Sequence, residues 1–250
     1  LKNVDVIINC AGSIYNKNQF NAVNVEGSSR LLNASIGKVN RWVQLSSTGV
    51  YGSQSNTIVT EKNPLLPKTP YEKSKAKFDK ILCEASVKNK IKIVILRPTN
   101  VFGSNMNNQT LFQLVGAINR KLFFFIGNSN YLINYVHVHD VVNALMLCSV
   151  APQKSLKIFN ISNEVTIKTL VKIICRALNK NPPKLRLPLF IVKPLVFLIG
   201  WLPFSSLNLS RLNALTSKTK YSSNLIKKDL KFKFTVPVKD GLISFVKHLL

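Results

Sequence analysis

Three near-continuous apolar runs, each followed by enough chain to form a helix, constrain this sequence most. They are Val4 to Cys10 (VDVIINC), Arg41 to Ser46 (RWVQLS) and Ile91 to Leu96 (IKIVIL). Apolar runs of this length without strict alternation suit strands covered on both faces, as in a parallel sheet. Between the first two, Asn21 to Ile36 repeats Val25, Leu31, Leu32 and Ile36 at helical spacing. Between the second and third, a helix is expected from Thr69 to about Asn89. Strand alternating with helix predicts βαβ units and a doubly wound α/β sheet.

Beyond Arg97-Pro98 the pattern loosens. A helix is expected near Gln109 to Lys121, then an aromatic stretch (LFFFIG), a short strand at Asn134 to Val138 and a helix from about Asp140. A strand at Lys157 to Ile161, a helix at Thr166 to Leu178 and short helices around Pro237 complete the reading. A chain of 250 residues can bury a substantial core. No internal repeat or low-complexity linker divides it, so two intertwined lobes are expected. Residues 1–103, with 133–163 returning to them, form the sheet. Residues 104–132 and 164–250 form a smaller, mainly helical lobe.

The start of the helix at Thr69 carries chemistry. Thr69 suits the N-cap, Pro70 the first helical position, and Glu72 completes a capping box. Tyr71 and Lys75, four residues apart, then share one face. A phenol titrates near pH ~10, and a neighbouring ammonium favours its ionised form. Such a tyrosine can exchange a proton with an alcohol. Alone, Tyr-x-x-x-Lys is a weak pattern in a lysine-rich chain, and an ordinary amphipathic helix is its first reading.

The net charge of +25 allows an anionic macromolecule, an anionic membrane surface or a lysine-rich background. Lysines are spread throughout without interleaved stacking aromatics, and no zinc-finger, helix-turn-helix or RNA-recognition pattern occurs, which argues against nucleic acid. Cys10, Cys83, Cys148 and Cys175 show neither metal-ligand spacing nor a disulfide rhythm. They point to a reducing, cytoplasmic setting. His137 and His139 lack a third ligand, and strand packing is the simpler reading, so no metal is expected. Residues 187–204 are strongly apolar but interrupted by Lys193, three prolines and Gly200. A core or cleft-flanking helix is expected there, with peripheral membrane contact second and a membrane span last.

Six blocks in order give the sequence a resemblance. They are Asn9-Cys10-Ala11-Gly12, Asn24-Val25-Glu26-Gly27, Ser46-Ser47-Thr48-Gly49-Val50-Tyr51-Gly52, Tyr71-x-x-x-Lys75, Arg97-Pro98-Thr99-Asn100-Val101-Phe102-Gly103 and Tyr135-Val136-His137-Val138-His139-Asp140. Together they resemble the extended short-chain dehydrogenase/reductases, specifically the nucleotide-sugar epimerase/dehydratase family. The likeness covers nearly the whole chain, through the closing Tyr221 to Asp240, and it reverses the first reading of Tyr71 and Lys75.

The resemblance implies a partial Rossmann-like sheet, an NAD cofactor (NADP staying open), a nucleotide-sugar substrate, and a homodimer as an open expectation. It implies Tyr71 as acid/base, Lys75 as the residue that positions the cofactor and lowers the tyrosine pKa, and Ser47 as the hydroxyl holding the reacting oxygen, with Ser46 and Thr48 as fallbacks. Ala11, Gly12, Arg97 and Pro98 are expected at the cofactor, Thr48 and Asn100 at the substrate, and Asn24 as a brace. The implied reaction is 4-epimerisation of a UDP-hexose through a 4-keto intermediate. Reduction of a 4-keto sugar nucleotide, a membrane-associated hydroxysteroid-type dehydrogenase and a non-catalytic remnant are the alternatives.

Two departures qualify the likeness. Dehydrating members carry an acid immediately after the active serine or threonine, whereas Thr48 and Gly49 stand here. The glycine-rich turn that seats pyrophosphate on a helix N-terminus, and the acidic residue that selects the ribose, are not in the sequence. The chain starts at Leu1 and reads as a fragment opening at the fourth strand of the fold. That strand is therefore expected at a sheet edge, with weak NAD binding. Ile133 and Asn134 stand where the family usually has a basic phosphate contact.

Overall fold

The structure, a computed structural model, describes residues 1–54, 57–88, 91–104, 106, 109–128, 130–152, 156–199, 212 and 216–249. The apolar runs become strands β1 (Val6–Asn9), β2 (Arg41–Leu45) and β4 (Lys92–Pro98), joined by β8 (Lys157–Ile161). These four are parallel, in the order β1-β2-β4-β8. Helix α1 (Ser28–Ser35) leads from β1 to β2, and α2 (Pro70–Lys88) from β2 to β4.

Alternation along each strand divides the apolar side chains between two faces. Trp42, Ile93 and Ile95 pack with Leu32 of α1 and with Phe78 and Leu82 of α2. Val43, Val94 and Leu96 pack with Val141, Ala144 and Cys148 of α4 (Val138–Val150), and with Ile226 of α7 (Asn224–Leu230). Coverage on both faces explains why these runs are apolar throughout. Among the described residues β1 pairs on one side only, and its Ile8 is 37% exposed.

A third core lies beyond the sheet. It joins Phe102 of β5 (Asn100–Phe102) and Leu111 of α3 (Gln109–Asn119) with Leu170 and Ile174 of α5 (Ile167–Ala177). Leu242 and Phe245 of α8 (Val238–His248) complete it. β5 pairs with β7 (Leu132–His137), which pairs antiparallel with β9 (Asn163–Thr166). Short parallel pairs tie distant chain together: β3 (Ile58–Val59) with β11 (Lys220–Tyr221), and β6 (Phe125–Ile126) with β10 (Arg186–Leu187).

The apolar stretch at 187 contains α6 (Leu189–Ile199), with Pro194 inside it. Val192 and Val196 are buried, whereas Phe190 and Ile191 face outward, so α6 is only partly a core helix. Residues 200–204 of the apolar stretch lie outside the described residues. No helix of the described residues is long and apolar enough to cross a membrane.

Candidate active site

Three segments meet at the C-terminal ends of β1 and β2: residues 10–13, residues 46–51 and the first turns of α2. The capping box forms as read from the sequence. Thr69 Oγ1 accepts from the Glu72 amide at 3.2 Å, and the Glu72 carboxylate accepts from the amides of Thr69 (2.9 Å) and Lys68 (2.7 Å). This fixes the first turn of α2, and with it the placement of Tyr71.

Asparagines hold the other two segments in register. Asn9 Nδ2 donates to Ser28 Oγ and Gln44 Oε1, while its Oδ1 accepts from the Ala11 amide. Asn24 lies in a π-helical turn (Ala22–Gly27) and is buried, so it is not a surface polar group. Its Oδ1 accepts from the Ser13 amide at 2.7 Å, and its Nδ2 donates to Ser13 O and to Ser74 Oγ, both at 3.0 Å. Asn24 thereby ties the turn after β1 to α2. A π-turn is a frequent marker of a functional position.

Lys75 is buried, and its Nζ donates to the Leu45 carbonyl at 3.1 Å. A Cβ added to Gly12 would stand 3.2 Å from that Nζ, so the ammonium is seated against bare backbone. Burial lowers the Lys75 pKa, partly offset by the nearby Asp79 carboxylate and the Cys10 thiol.

Tyr71 packs edge-on against Phe20, with ring centroids 5.8 Å apart, and its hydroxyl faces the Ser47 side chain. Burial raises its pKa; the neighbouring Ser47 hydroxyl lowers it, and the Asp79 and Glu72 carboxylates raise it further. The expectation that Lys75 makes this phenol acidic is therefore corrected. The desolvation cost of a phenolate dominates, and the Lys75 ammonium is turned to the Leu45 carbonyl.

Ser47 is half-buried and caps the 3₁₀ turn Thr48–Tyr51, its Oγ accepting from the Gly49 amide at 3.1 Å. The fallbacks turn inward. Thr48 Oγ1 donates to the Pro98 carbonyl at 3.2 Å, and the buried Ser46 hydroxyl faces Asp79 without a well-formed hydrogen bond. Ala11 and Gly12 are exposed at the end of β1.

Arg97 and Pro98 meet this cluster only from its buried side, through Tyr51 and Thr48. Arg97 is 2% exposed. Its Nε and Nη2 each reach Asp79 Oδ2 at 2.9 Å, and its Nη1 donates to the Tyr51 hydroxyl at 2.8 Å. That hydroxyl donates to Asn160 Oδ1 at 2.9 Å. In place of the cofactor contact expected from the resemblance, Arg97 is a buried strut between α2, the 3₁₀ turn and β8. Pro98 is buried, and Asn100 Nδ2 donates to the Asn134 carbonyl at 3.3 Å.

Asp79 is the neighbour of the site that sequence reasoning missed. It is 1% exposed; burial raises its pKa and Arg97 is the largest influence lowering it. Its signal was available, since Asp79 follows Lys75 by one helical turn on the buried side of α2. His137 is buried against Phe102, and its Nδ1 accepts from the His139 amide. Among the described residues no three His, Cys, Asp or Glu side chains are placed to hold a metal. A cavity of about 540 Å³ lies beside α2, lined by Leu65, Pro67, Ala76, Asp79, Cys83, Arg97 and lysines, and its lining does not include Tyr71, Ser47 or Lys75.

Residues 1–162 match the model of the NAD dependent epimerase/dehydratase family. The chain belongs to this family. It is 30% identical over 146 residues to the ADP-L-glycero-D-manno-heptose-6-epimerase of Brachyspira hyodysenteriae, covering 55% of this chain and 46% of that protein. It is 26% identical over 211 residues to the UDP-glucose 4-epimerase of Vibrio cholerae, covering 77% and 63%. The crystal structure of the UDP-glucuronic acid 4-epimerase from Bacillus cereus in complex with NAD superposes with a TM-score of 0.76. That match, at 18% identity, covers all of this chain and 76% of the other, and shows the shared fold. The chain spans about half the length of the first curated relatives it matches.

Proposed function

We propose that this chain carries the acid–base half of an NAD-dependent nucleotide-sugar 4-epimerase, acting on a UDP-hexose through a 4-keto intermediate. Residues 104–132 and 164–250 would form the lobe that covers the sugar nucleotide. The observation that carries this reading is the convergence of the Tyr71 and Ser47 hydroxyls at the mouth of β2, with Lys75 seated behind Gly12. Family membership and the names of two relatives support the same reaction class.

The residues present fit the ribose end of the cofactor. Lys75 has three N–H donors and the Leu45 carbonyl takes one, beside the exposed backbone of Ala11 and Gly12. NAD, when bound, would supply the hydride acceptor. Tyr71 would take the proton of the sugar 4-hydroxyl in the oxidising half and return it to the 4-keto oxygen in the reducing half. Ser47, facing Tyr71, would hold that oxygen in line. Dehydration is not the reading favoured, because Thr48 and Gly49 bring no carboxylate. Glu72, whose side chain lies beside Gly49, is held by the amides of Lys68 and Thr69.

The raised pKa of Tyr71 gives the proposal a sign. A phenol held protonated must lose its proton before it can act as a base, so oxidation at low substrate should quicken as pH rises from neutral towards 10. The test joins this chain to the glycine-turn segment of the Vibrio cholerae relative and follows UDP-glucose/UDP-galactose interconversion by proton NMR. Full turnover by a Tyr71→Phe version would overturn the mechanism.

A further inference from the structure

Residues 121–127 and 184–199 form a face unlike the rest of the surface. Backbone bonds join the two stretches: the Phe125 amide donates to the Leu185 carbonyl at 3.0 Å, and the Gly127 amide to the Leu187 carbonyl at 2.9 Å. Beneath α6, Val192 and Val196 pack with Phe124, Ile126 and Leu187. On its outer side α6 presents Phe190, 77% exposed, together with Ile191. Leu122 and Leu185, 68% and 59% exposed, project from the adjoining strand ends. A lone exposed apolar residue needs no explanation, but four on neighbouring segments form a patch that does.

The charged side chains on these two stretches have one sign. Lys121, Lys184 and Lys193 are exposed. The sequence holds no Asp or Glu between Glu84 and Asp140, nor between Glu164 and Asp229, so both stretches lie in chain without carboxylates. Exposed aromatic and aliphatic side chains ringed by lysines match a lipid–water boundary, where acyl chains receive the former and phosphates the latter. The described part of α6, 11 residues, is shorter than a bilayer span requires and suits a helix lying in the interface.

We propose that α6 and the adjoining ends of β6 and β10 dock this chain on a bilayer containing anionic phospholipid. Phe190 and Ile191 enter the acyl region, while Lys121, Lys184 and Lys193 meet the phosphates. This inference does not depend on the catalytic reading. A net charge of +25 attracts any anionic surface, so the deciding variant changes apolar area at constant charge.

The test is flotation of the 250-residue chain with phosphatidylglycerol–phosphatidylcholine vesicles and with phosphatidylcholine alone. The parent should float only with the anionic vesicles. Phe190→Ser/Ile191→Ser should weaken partitioning by about ten-fold or more. Lys121→Gln/Lys184→Gln/Lys193→Gln should weaken it by roughly five-fold per lysine, with parent binding fading in high salt. Failure of the parent to float, or equal flotation of the double serine variant, overturns the proposal. So does sedimentation showing a parent dimer that the double serine variant splits, since the face then joins two copies. Should that variant fail to fold by circular dichroism, Phe190→Trp decides: a blue-shifted emission on anionic vesicles supports insertion and an unshifted one refutes it.

Discussion

The core between α2 and the sheet and the core beyond β5 are packed on different principles. Beside α2, buried polar groups bond to one another: Asp79 to Arg97, Arg97 to Tyr51, Tyr51 to Asn160, and Asn24 to both Ser13 and Ser74. Beyond β5, Phe102, Leu111, Leu170, Ile174, Leu242 and Phe245 meet in one apolar cluster. Directional bonds hold side chains at set angles but return little net stability, because each exchanges a bond to water. Apolar packing stabilises more and tolerates small shifts of orientation. The candidate site stands on the directional core, where Tyr71, Ser47 and Lys75 must keep their mutual placement.

The largest effect should come from chemistry. Tyr71→Phe in the fused enzyme should slow sugar interconversion by roughly 10²–10⁴-fold, as for loss of a general acid–base group. Its urea unfolding midpoint should hardly move, since the ring and its contact with Phe20 remain. A variant with lost stability and retained turnover would reverse the roles given to the two cores.

Next come two stability changes of similar size and different cause. Asp79→Ala strands the buried Arg97 charge and should cost about 3–5 kcal/mol. Phe245→Ala opens a cavity and should also cost about 3–5 kcal/mol. The distinction appears on repair. Asp79→Leu/Arg97→Met removes both charges and should recover most of the stability, because apolar replacement of a buried pair is often neutral or better. Turnover should stay low if the pair orients α2 against the 3₁₀ turn. Recovery of both stability and turnover would mean that the pair only fills space.

Alkali separates the cores by one group. Burial pushes Tyr135, in the apolar core, up to about 12 from an unfolded value near 10. With the folded value above the unfolded one, its contribution is complete below pH 10 and is lost as pH climbs towards 12. The total is about 3 kcal/mol, since each pH step of one between the two values is worth about 1.4 kcal/mol. Urea unfolding of parent and Tyr135→Phe at a series of pH values should show the parent alone losing this increment. Parallel curves would mean that water reaches the phenol.

How much of this was legible in the sequence follows from the range of each signal. Apolar runs and helical spacing are local, and β1, β2, β4, β8, α2 and α5 lie close to where those patterns place them. Two- to four-residue strands such as β3, β5 and β9 are too short to carry a period, and only their partners reveal them. The π-turn holding Asn24 differs from an α-helix by a hydrogen-bond shift that composition does not encode. Four-residue spacing put Tyr71 and Lys75 on one face but said nothing of burial, and burial sets the direction of both pKa shifts. The resemblance placed Arg97 at the cofactor. Its engagement with Asp79, eighteen residues earlier in the chain, is a tertiary fact that no window along the chain contains.

The smallest prediction tests whether a local signal reaches the site. Thr69→Ala removes the oxygen that accepts from the Glu72 amide, while the Glu72 carboxylate can still hold the Lys68 and Thr69 amides. Half a capping box should cost about 1 kcal/mol, visible as a modest fall in the urea midpoint. Tyr71 is the second residue of α2, so fraying of this turn also loosens its placement opposite Ser47. Turnover in the fused enzyme should therefore fall by more than that stability loss explains, and Thr69→Ser should restore both. If Thr69→Ala lowers stability alone, α2 is positioned from its buried side, through Asn24, Ser74 and Asp79, and the cap merely closes its end.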